Sequence, residues 1–134
     1  MPLKNVDSTW ETLVVAAAAE IANDETASTP GTAEVLGIIG VDEVTLRVKA
    51  FVLGTETSID LYPQVADDAG EYGYITDIGG TPFVFHLTGA TRTSRVLPTF
   101  AVRGAKFRVL VGSTGTAGNG TLSLDAMRHQ DWEA

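Results

Sequence analysis

Few side chains of this chain are of the types that carry out catalysis. The sequence has two histidines and no cysteine, which excludes disulfides, thiol nucleophiles and cysteine-ligated zinc. His86 lies opposite Phe83 and Phe85 in an alternating run, which predicts that it faces solvent or a neighbouring chain, and His129 lies near the C-terminus. A serine hydrolase of the elbow type presents its nucleophile in Gly-x-Ser-x-Gly, and that motif is absent. We therefore predict that the protein is not an enzyme and has no catalytic residue and no cofactor.

One acidic turn is a weak candidate for a metal site. Asp67, Asp68 and Glu71 supply three carboxylates, and oxygen ligands of this kind suit Ca²⁺. The turn lacks the alternating acidic pattern of a calcium-binding loop, and the two histidines have no ligand spacing. The simpler interpretation is a hairpin tip that its charge keeps soluble, so we predict no bound metal.

Aromatic side chains suggest a surface for carbohydrate. Tyr62 stands among residues that point outward from a predicted strand, whereas Tyr72 and Tyr74 share one face of another. Together with Trp10, these rings would form a platform on which sugar rings stack. Burial in the core is the interpretation we favour for Tyr72 and Tyr74, which leaves Tyr62 as the best candidate for a glycan platform.

The residues named above are expected to lie on β-strands or in the turns between them. Apolar and polar residues alternate, and turn signals recur about every 8–12 residues after residue 33, as in a sandwich. On the first long strand, one predicted face carries Val44, Leu46, Val48, Ala50 and Val52. We predict an all-β, antiparallel β-sandwich of about eight or nine strands, jelly-roll or immunoglobulin-like. Its predicted core is Val44, Leu46, Val48, Phe83, Phe85, Phe107, Val109, Leu122 and Leu124.

The first 32 residues are set apart from this sandwich, which we place at residues 33–134. Residues 12–22 suit either a helix or a buried strand, and we favour the strand. The apolar stretch that begins at Leu13 and Val14 is too hydrophobic to lie in water. Residues 1–32 are therefore predicted to form an extended arm or an added strand that contacts another chain through Leu13 and Val14.

Charge is unevenly distributed along the chain. Residues 1–71 carry thirteen acidic and three basic residues, a net of −10, whereas residues 72–134 carry four acidic and six basic residues, a net of +2. We expect an acidic partner surface, on a capsid protein or a neighbouring copy, to contact the basic cluster Arg92, Arg95, Arg103, Lys106 and Arg108. The alternative is an ordinary solvated surface in which the strand order mixes the charges.

The overall charge and hydropathy exclude two classes of partner. A net charge of −8 argues against binding to nucleic acid, which relies on a basic surface. No apolar run approaches the roughly 20 residues of a membrane-spanning helix, and the first residues lack the hydrophobic segment of a signal peptide. Neither nucleic acid nor membrane is an expected partner.

The pattern of residues 33–128 resembles that of small β-sandwich virion proteins of tailed bacteriophages, particularly capsid cement (head decoration) proteins. The likeness lies in Phe107-Arg108-Val109-Leu110-Val111-Gly112 and in Gly120-Thr121-Leu122-Ser123-Leu124-Asp125-Ala126, with earlier paired strands at residues 45–50 and 58–61. The resemblance implies a virion protein, assembled in the host cytoplasm, that has no active site. The partners that the resemblance implies are the major capsid protein or other virion proteins, and copies of the chain itself. A tail, neck or fibre component, or a carbohydrate-binding module that uses Tyr62, are the alternatives.

Overall fold

A computed structural model describes residues 3–5, 9–16, 34–54, 56–67, 70–76, 78–88, 95–115, 120–129 and 131–133. All secondary-structure elements in these ranges are strands, and none of these residues belongs to a helix with the length and hydropathy needed to cross a membrane. The twelve strands are β1 (Leu3–Asn5), β2 (Glu11–Ala16), β3 (Leu36–Gly37), β4 (Glu43–Val52), β5 (Glu56–Ala66), β6 (Tyr72–Tyr74), β7 (Phe85–Leu87), β8 (Arg95–Val96), β9 (Phe100–Ala101), β10 (Lys106–Gly115), β11 (Thr121–His129) and β12 (Asp131–Glu133).

Ten of the strands form two antiparallel sheets that pack face to face. One sheet has the order β2-β11-β4-β8, with β9 also on β4, and the other has the order β3-β10-β5-β6, with β7 also on β5. The pairing is nested along the chain, because β2 pairs with β11, β3 with β10, β4 with β8 and β9, and β5 with β6 and β7. Because β8 and β9 share one position beside β4, and β6 and β7 share one beside β5, the two sheets have eight strand positions. Nested pairing of eight positions in two sheets is the jelly roll. The predicted antiparallel β-sandwich is confirmed, and the strand order selects the jelly roll.

The hydrophobic core lies between the two sheets and agrees with most of the predicted set. Seven predicted residues are buried: Val44, Leu46, Val48, Phe107, Val109, Leu122 and Leu124. Phe85 is partly buried against them, whereas Phe83 keeps 39% of its surface exposed, so its placement in the core was wrong. Phe83 lies just before β7, beside a turn that the bridge between Thr76 and Pro82 closes. The opposite sheet covers its side chain only in part.

A β-bulge in β4 reverses the side-chain alternation. Val48 pairs with Leu124, but the next residue of β11, Ser123, pairs with Ala50, so Lys49 is an extra residue on β4. After the bulge Phe51 points into the core and Ala50 is exposed. The expectation that Ala50 and Val52 share the inner face with Val48 was therefore wrong.

The N-terminal segment contributes an edge strand to the sandwich. Residues 11–16 form β2, which agrees with the strand interpretation as far as residue 16, and residues 17–22 lie outside the described residues. In addition, β1 pairs with β12. Leu13 is itself an extra residue in the pairing of β2 with β11, so both Leu13 and Val14 point inward and are fully buried. These two side chains serve the core of this chain, and not the contact with another chain that the sequence predicted. The predicted boundary at residue 32 does not separate β2 from the sandwich.

Candidate functional site

The outer face of the sheet around β5 carries a group of polar and aromatic side chains that contact one another. Alternate residues of a strand point to opposite faces, so Ile59 and Leu61 enter the core while Asp60, which lies between them, faces outward. Pairing places His86 opposite Asp60, and places Tyr74 and Arg108 on either side of Gln64. We call this surface the β5 face; its residues are Asp60, Tyr62 and Gln64 of β5, Tyr72 and Tyr74 of β6, His86 of β7, and Arg108 and Leu110 of β10.

A buried carboxylate lies at one end of the β5 face. Asp60 is only 1% exposed, and its Oδ1 accepts a hydrogen bond of 2.8 Å from Ser58 Oγ and lies 2.7 Å from His86 Nδ1. Its Oδ2 accepts a hydrogen bond of 2.6 Å from Thr114 Oγ1. Burial raises the pKa of Asp60, but the hydrogen bonds from Thr114, His86 and Ser58 and the charge of His86 lower that pKa by more. The net pKa lies below the ordinary value, so the carboxylate is ionised at neutral pH.

The ionised carboxylate fixes the state of the imidazole beside it. The ionised Asp60 has no proton to share, so Nδ1 of His86 carries a proton and donates a hydrogen bond to Oδ1. In the neutral imidazole the second nitrogen, Nε2, is then a hydrogen-bond acceptor. The His86 side chain is 61% exposed, which agrees with the prediction that it faces outward.

Arg108 crosses over β5 from β10 to β6. Its Nε donates a hydrogen bond of 2.9 Å to Gln64 Oε1, and its guanidinium carbon lies 3.7 Å from the ring centroid of Tyr72. Gln64 and Ala66 are buried beneath this outer layer. Arg108 leaves the core face as predicted, but its guanidinium already contacts two side chains of its own chain.

The tyrosines of the β5 face lie on the outside of the sandwich. Tyr62 and Tyr74 form an edge-to-face pair with ring centroids 6.2 Å apart and an interplanar angle of 68°. Tyr74 is 44% exposed, and Tyr62 and Tyr72 are half-buried. The core interpretation of Tyr72 and Tyr74 was wrong, because β6 pairs with β5 so that its tyrosines lie beside the outward residues Ala66 and Gln64. Trp10 is not part of this set, since its ring lies against Arg47 of the other sheet.

The acidic turn that was the weak candidate for a metal site is described only in part. Asp67 and Glu71 flank the turn between β5 and β6, where Gly70 N donates to the Asp67 carbonyl oxygen over 3.0 Å, and Asp68 lies outside the described residues. Within the described ranges, no three histidine, aspartate or glutamate side chains come together as a metal ion would require.

The predicted basic cluster is spread over separate parts of the fold. Arg95 lies on β8 with its guanidinium carbon 5.7 Å from the Phe51 ring centroid, and Arg103 and Lys106 are exposed around the turn before β10. Arg92 lies outside the described residues. The contact of these residues with an acidic partner stays a prediction.

Two ion pairs join residues from the two halves of the sequence. Arg47 Nη2 lies 2.6 Å from Asp125 Oδ2, and Arg128 Nε donates to Glu11 Oε1 over 2.9 Å. Each pair joins a residue from the first half to one from the second half, so the strand order mixes part of the charge that the linear sequence separates.

A second polar network, which the sequence did not predict, lies on the outer face of the other sheet. Thr45 Oγ1 lies 2.6 Å from His129 Nε2 and 2.5 Å from Thr99 Oγ1. Thr45 is buried, so its hydroxyl serves these internal hydrogen bonds. The sequence indicated only that Thr45, which alternates with Val44 and Leu46, points away from the core.

Exposed apolar side chains lie at one edge of the sandwich. Ile78 is fully exposed in the turn between β6 and β7, and the partly exposed Phe83 ring contacts Phe100 with centroids 6.4 Å apart. Phe100 in turn contacts the buried Phe107 at 5.8 Å, so a chain of aromatic rings connects this surface with the core. We call Ile78, Phe83 and Phe100 the apolar edge.

The fold and its surfaces define a jelly-roll protein with one polar, aromatic sheet face and one apolar edge. Comparison with protein-family models, with curated proteins and with solved structures finds no match to this chain. The resemblance to virion proteins therefore stays a prediction from the sequence, and the function is argued from the surfaces themselves.

Proposed function

We propose that the protein is a structural component of a bacteriophage particle, most closely a capsid cement protein that stabilises the head through protein–protein contacts. Its partners in this proposal are the major capsid protein, or other virion proteins, and copies of itself. The residue pattern of the strands supports the assignment, and jelly rolls are also widely used in viral capsids, which is an argument by analogy of fold. A tail, neck or fibre component is the alternative position in the particle.

The observation that carries the proposal is the apolar edge. Exposed aromatic side chains that are held rigidly from behind are typical of the residues that contribute most to protein–protein binding. Phe83 fits this description, because its exposed ring stacks on Phe100 and Phe100 packs on the buried Phe107. Burial of Phe83 against a partner would remove apolar surface from water at a small cost in side-chain entropy.

Basic side chains adjoin this edge in the sequence. Arg103 follows Phe100 by three residues, and both Arg103 and Lys106 are exposed. An exposed ion pair contributes only about 0–1 kcal/mol, so these charges would set the rate and orientation of attachment more than its affinity. The apolar contact would provide most of the binding free energy.

Purified particles test the proposal directly. Particles of the phage whose genome encodes this chain would be prepared with the intact gene and with the gene deleted. We expect quantitative mass spectrometry to find many copies per particle, and the deleted particles to lose their integrity at a lower temperature. Gold-labelled antibody should mark the head, whereas labelling of the tail or neck would replace the cement assignment with the alternative.

Addition of purified protein to the deleted particles tests the contact surface. The wild-type chain should restore thermal stability, and the double variant Phe83→Ser, Arg103→Glu should not. Val15→Ser is the matched control, because Val15 is another exposed apolar residue, on the opposite edge strand β2. Absence of the protein from particles overturns the proposal. Equal restoration by the double variant and the wild type overturns the assignment of the contact surface.

A further inference from the structure

We propose that the β5 face binds a neutral oligosaccharide. This binding function is separate from the assembly role and uses a different surface from the apolar edge. The face combines an exposed aromatic ring with hydrogen-bonding groups of both kinds, which is the combination that a sugar ring with its C–H faces and hydroxyl groups requires.

Three planar side chains of the face are each oriented by a neighbour from the central strand. The His86 imidazole is held by Asp60, the Arg108 guanidinium by Gln64, and the Tyr74 ring by Tyr62. Asp60 and Gln64 are buried beneath the groups that they hold. Side chains fixed in this way lose little freedom when a ligand binds, which is the usual condition for a preformed binding site.

The three holding residues are evenly spaced. Asp60, Tyr62 and Gln64 are successive outward positions of β5, so they lie about 7 Å apart and span about 14 Å along the strand. The side chains of the face would thus contact a ligand at regular intervals along β5. A short linear oligosaccharide, whose sugar rings repeat along one axis, matches this arrangement.

The charges on the face favour an uncharged ligand. The Asp60 carboxylate is buried and accepts a hydrogen bond from His86, and the Arg108 guanidinium stacks on Tyr72 and donates to Gln64. The formal charges of Asp60 and Arg108 cancel, so the face has no excess charge to attract a phosphate or a cation. His86 Nε2, the hydroxyl of the exposed Tyr74 and the remaining guanidinium N–H groups are suited to hydroxyl groups instead.

The face is poorly suited to a second copy of the chain. Its one aliphatic residue, Leu110, is already buried. A protein interface needs accessible apolar surface at its centre, and among the large exposed apolar side chains of the described residues only Tyr74 lies on this face. These features favour a sugar as the occupant of the β5 face.

The test is a binding assay with defined glycans. The folded full-length chain would be applied to an array of neutral glucans, mannans, galactans and chitooligosaccharides, with acidic glycans as a comparison. Ligands found there would be titrated by calorimetry. We expect a neutral oligosaccharide to bind, Tyr74→Ala to weaken its binding about tenfold or more, and Tyr74→Phe to keep it within about threefold, since the ring remains. Lys49→Ala, on the exposed outside of the other sheet, is the control.

Several outcomes would overturn this proposal. One is the absence of any neutral glycan that binds at millimolar concentration, and another is a preference for acidic glycans. Equal affinities of Tyr74→Ala and the wild type would place the binding elsewhere. Loss of self-association in Tyr74→Ala would instead identify the face as an interface between copies. If Tyr74→Ala does not fold, the test still stands with two other variants. The glycan affinity of His86→Gln would then be compared with that of Tyr74→Phe.

Discussion

The Nδ1 nitrogen of His86 lies 2.7 Å from the carboxylate Oδ1 of Asp60, which is 26 positions earlier in the chain. The two residues are directly opposite one another on β7 and β5. Two hydroxyl groups, from Ser58 and Thr114, complete the environment of the carboxylate. A carboxylate that is almost entirely shielded from water thus keeps its charge because every adjacent donor points at it.

The lowered pKa of Asp60 predicts an acid-dependent loss of stability. Since the folded pKa lies below the unfolded value, the unfolded chain binds more protons in the acid range, and stability falls as the pH falls below the ordinary aspartate value toward the folded one. We expect Asp60→Asn to lower the free energy of unfolding at pH 7 by about 1–3 kcal/mol. The variant should also flatten the decline in stability as the pH falls below the ordinary aspartate pKa of 3.8, as urea denaturation at each pH would measure.

Glu71→Gln is the control for this experiment, because it removes the charge of an exposed carboxylate of the same sheet. Its acid profile should follow that of the wild type. If Asp60→Asn shows the wild-type slope in acid, the charge of Asp60 does not stabilise the folded chain.

The bulge in β4 predicts which of two neighbouring residues matters for stability. Phe51 is almost completely buried and Val52 is half-buried on the other face. We expect Phe51→Ala to cost about 3–5 kcal/mol of unfolding free energy and Val52→Ala clearly less, about 1 kcal/mol. Urea denaturation of the two variants would measure the difference. A larger effect at Val52 would mean that β4 alternates regularly and that Lys49 is not an extra residue.

The same strand shows how far alternation predicts a sandwich. The two-residue period placed Val44, Leu46 and Val48 correctly, because a regular strand must alternate between core and solvent. It failed beyond Lys49, since a bulge depends on the register of the partner strand, which the sequence of β4 does not contain. Leu13 is a second example, where a bulge turned two consecutive residues into the core.

Gly80 and Gly104 both have a positive φ, but only Gly104 also lacks space for a side chain. A Cβ at Gly104 would lie 2.7 Å from the carbonyl oxygen of Ala66, whereas a Cβ at Gly80 would meet no atom within 4 Å. We expect Gly80→Ala to cost about 1–2 kcal/mol for the backbone conformation alone. Gly104→Ala should cost more, because the β5 backbone would also have to move. Thermal unfolding would rank the two variants, and equal shifts in melting temperature would mean that the contact with Ala66 relaxes freely.

The candidate site was less predictable than the fold. The outward directions of His86, Tyr62 and Arg108 followed from the sequence, because each alternates with core residues on its own strand. Their partners did not, since the pairing of β7 and β6 with the two ends of β5 is a property of the strand order. Without this pairing, the sequence alone placed Tyr74 in the core, whereas in the fold its side chain is exposed on the outer face.

The position of β2 predicts how the N-terminus tolerates truncation. Deletion of residues 1–8 removes β1 and its pairing with β12 but leaves β2 in its sheet. Deletion of residues 1–16 also removes Leu13 and Val14 from the core and leaves one edge of β11 without its partner strand. Loss of one buried leucine side chain alone costs about 2–5 kcal/mol, a large part of the stability of a small domain.

We therefore expect the shorter deletion to keep a cooperative thermal transition and the longer one to unfold or aggregate. Circular dichroism and size-exclusion chromatography at several concentrations would show both results. An exposed strand edge promotes pairing with another chain, so residual protein in the longer deletion should elute as large species. A monomeric, cooperatively folded chain without residues 1–16 would show instead that β2 is an added strand on an independent sandwich, as the sequence first suggested. Leu13→Ala in the full-length chain gives a milder test, because it leaves the strand pairing in place and removes only the buried side chain.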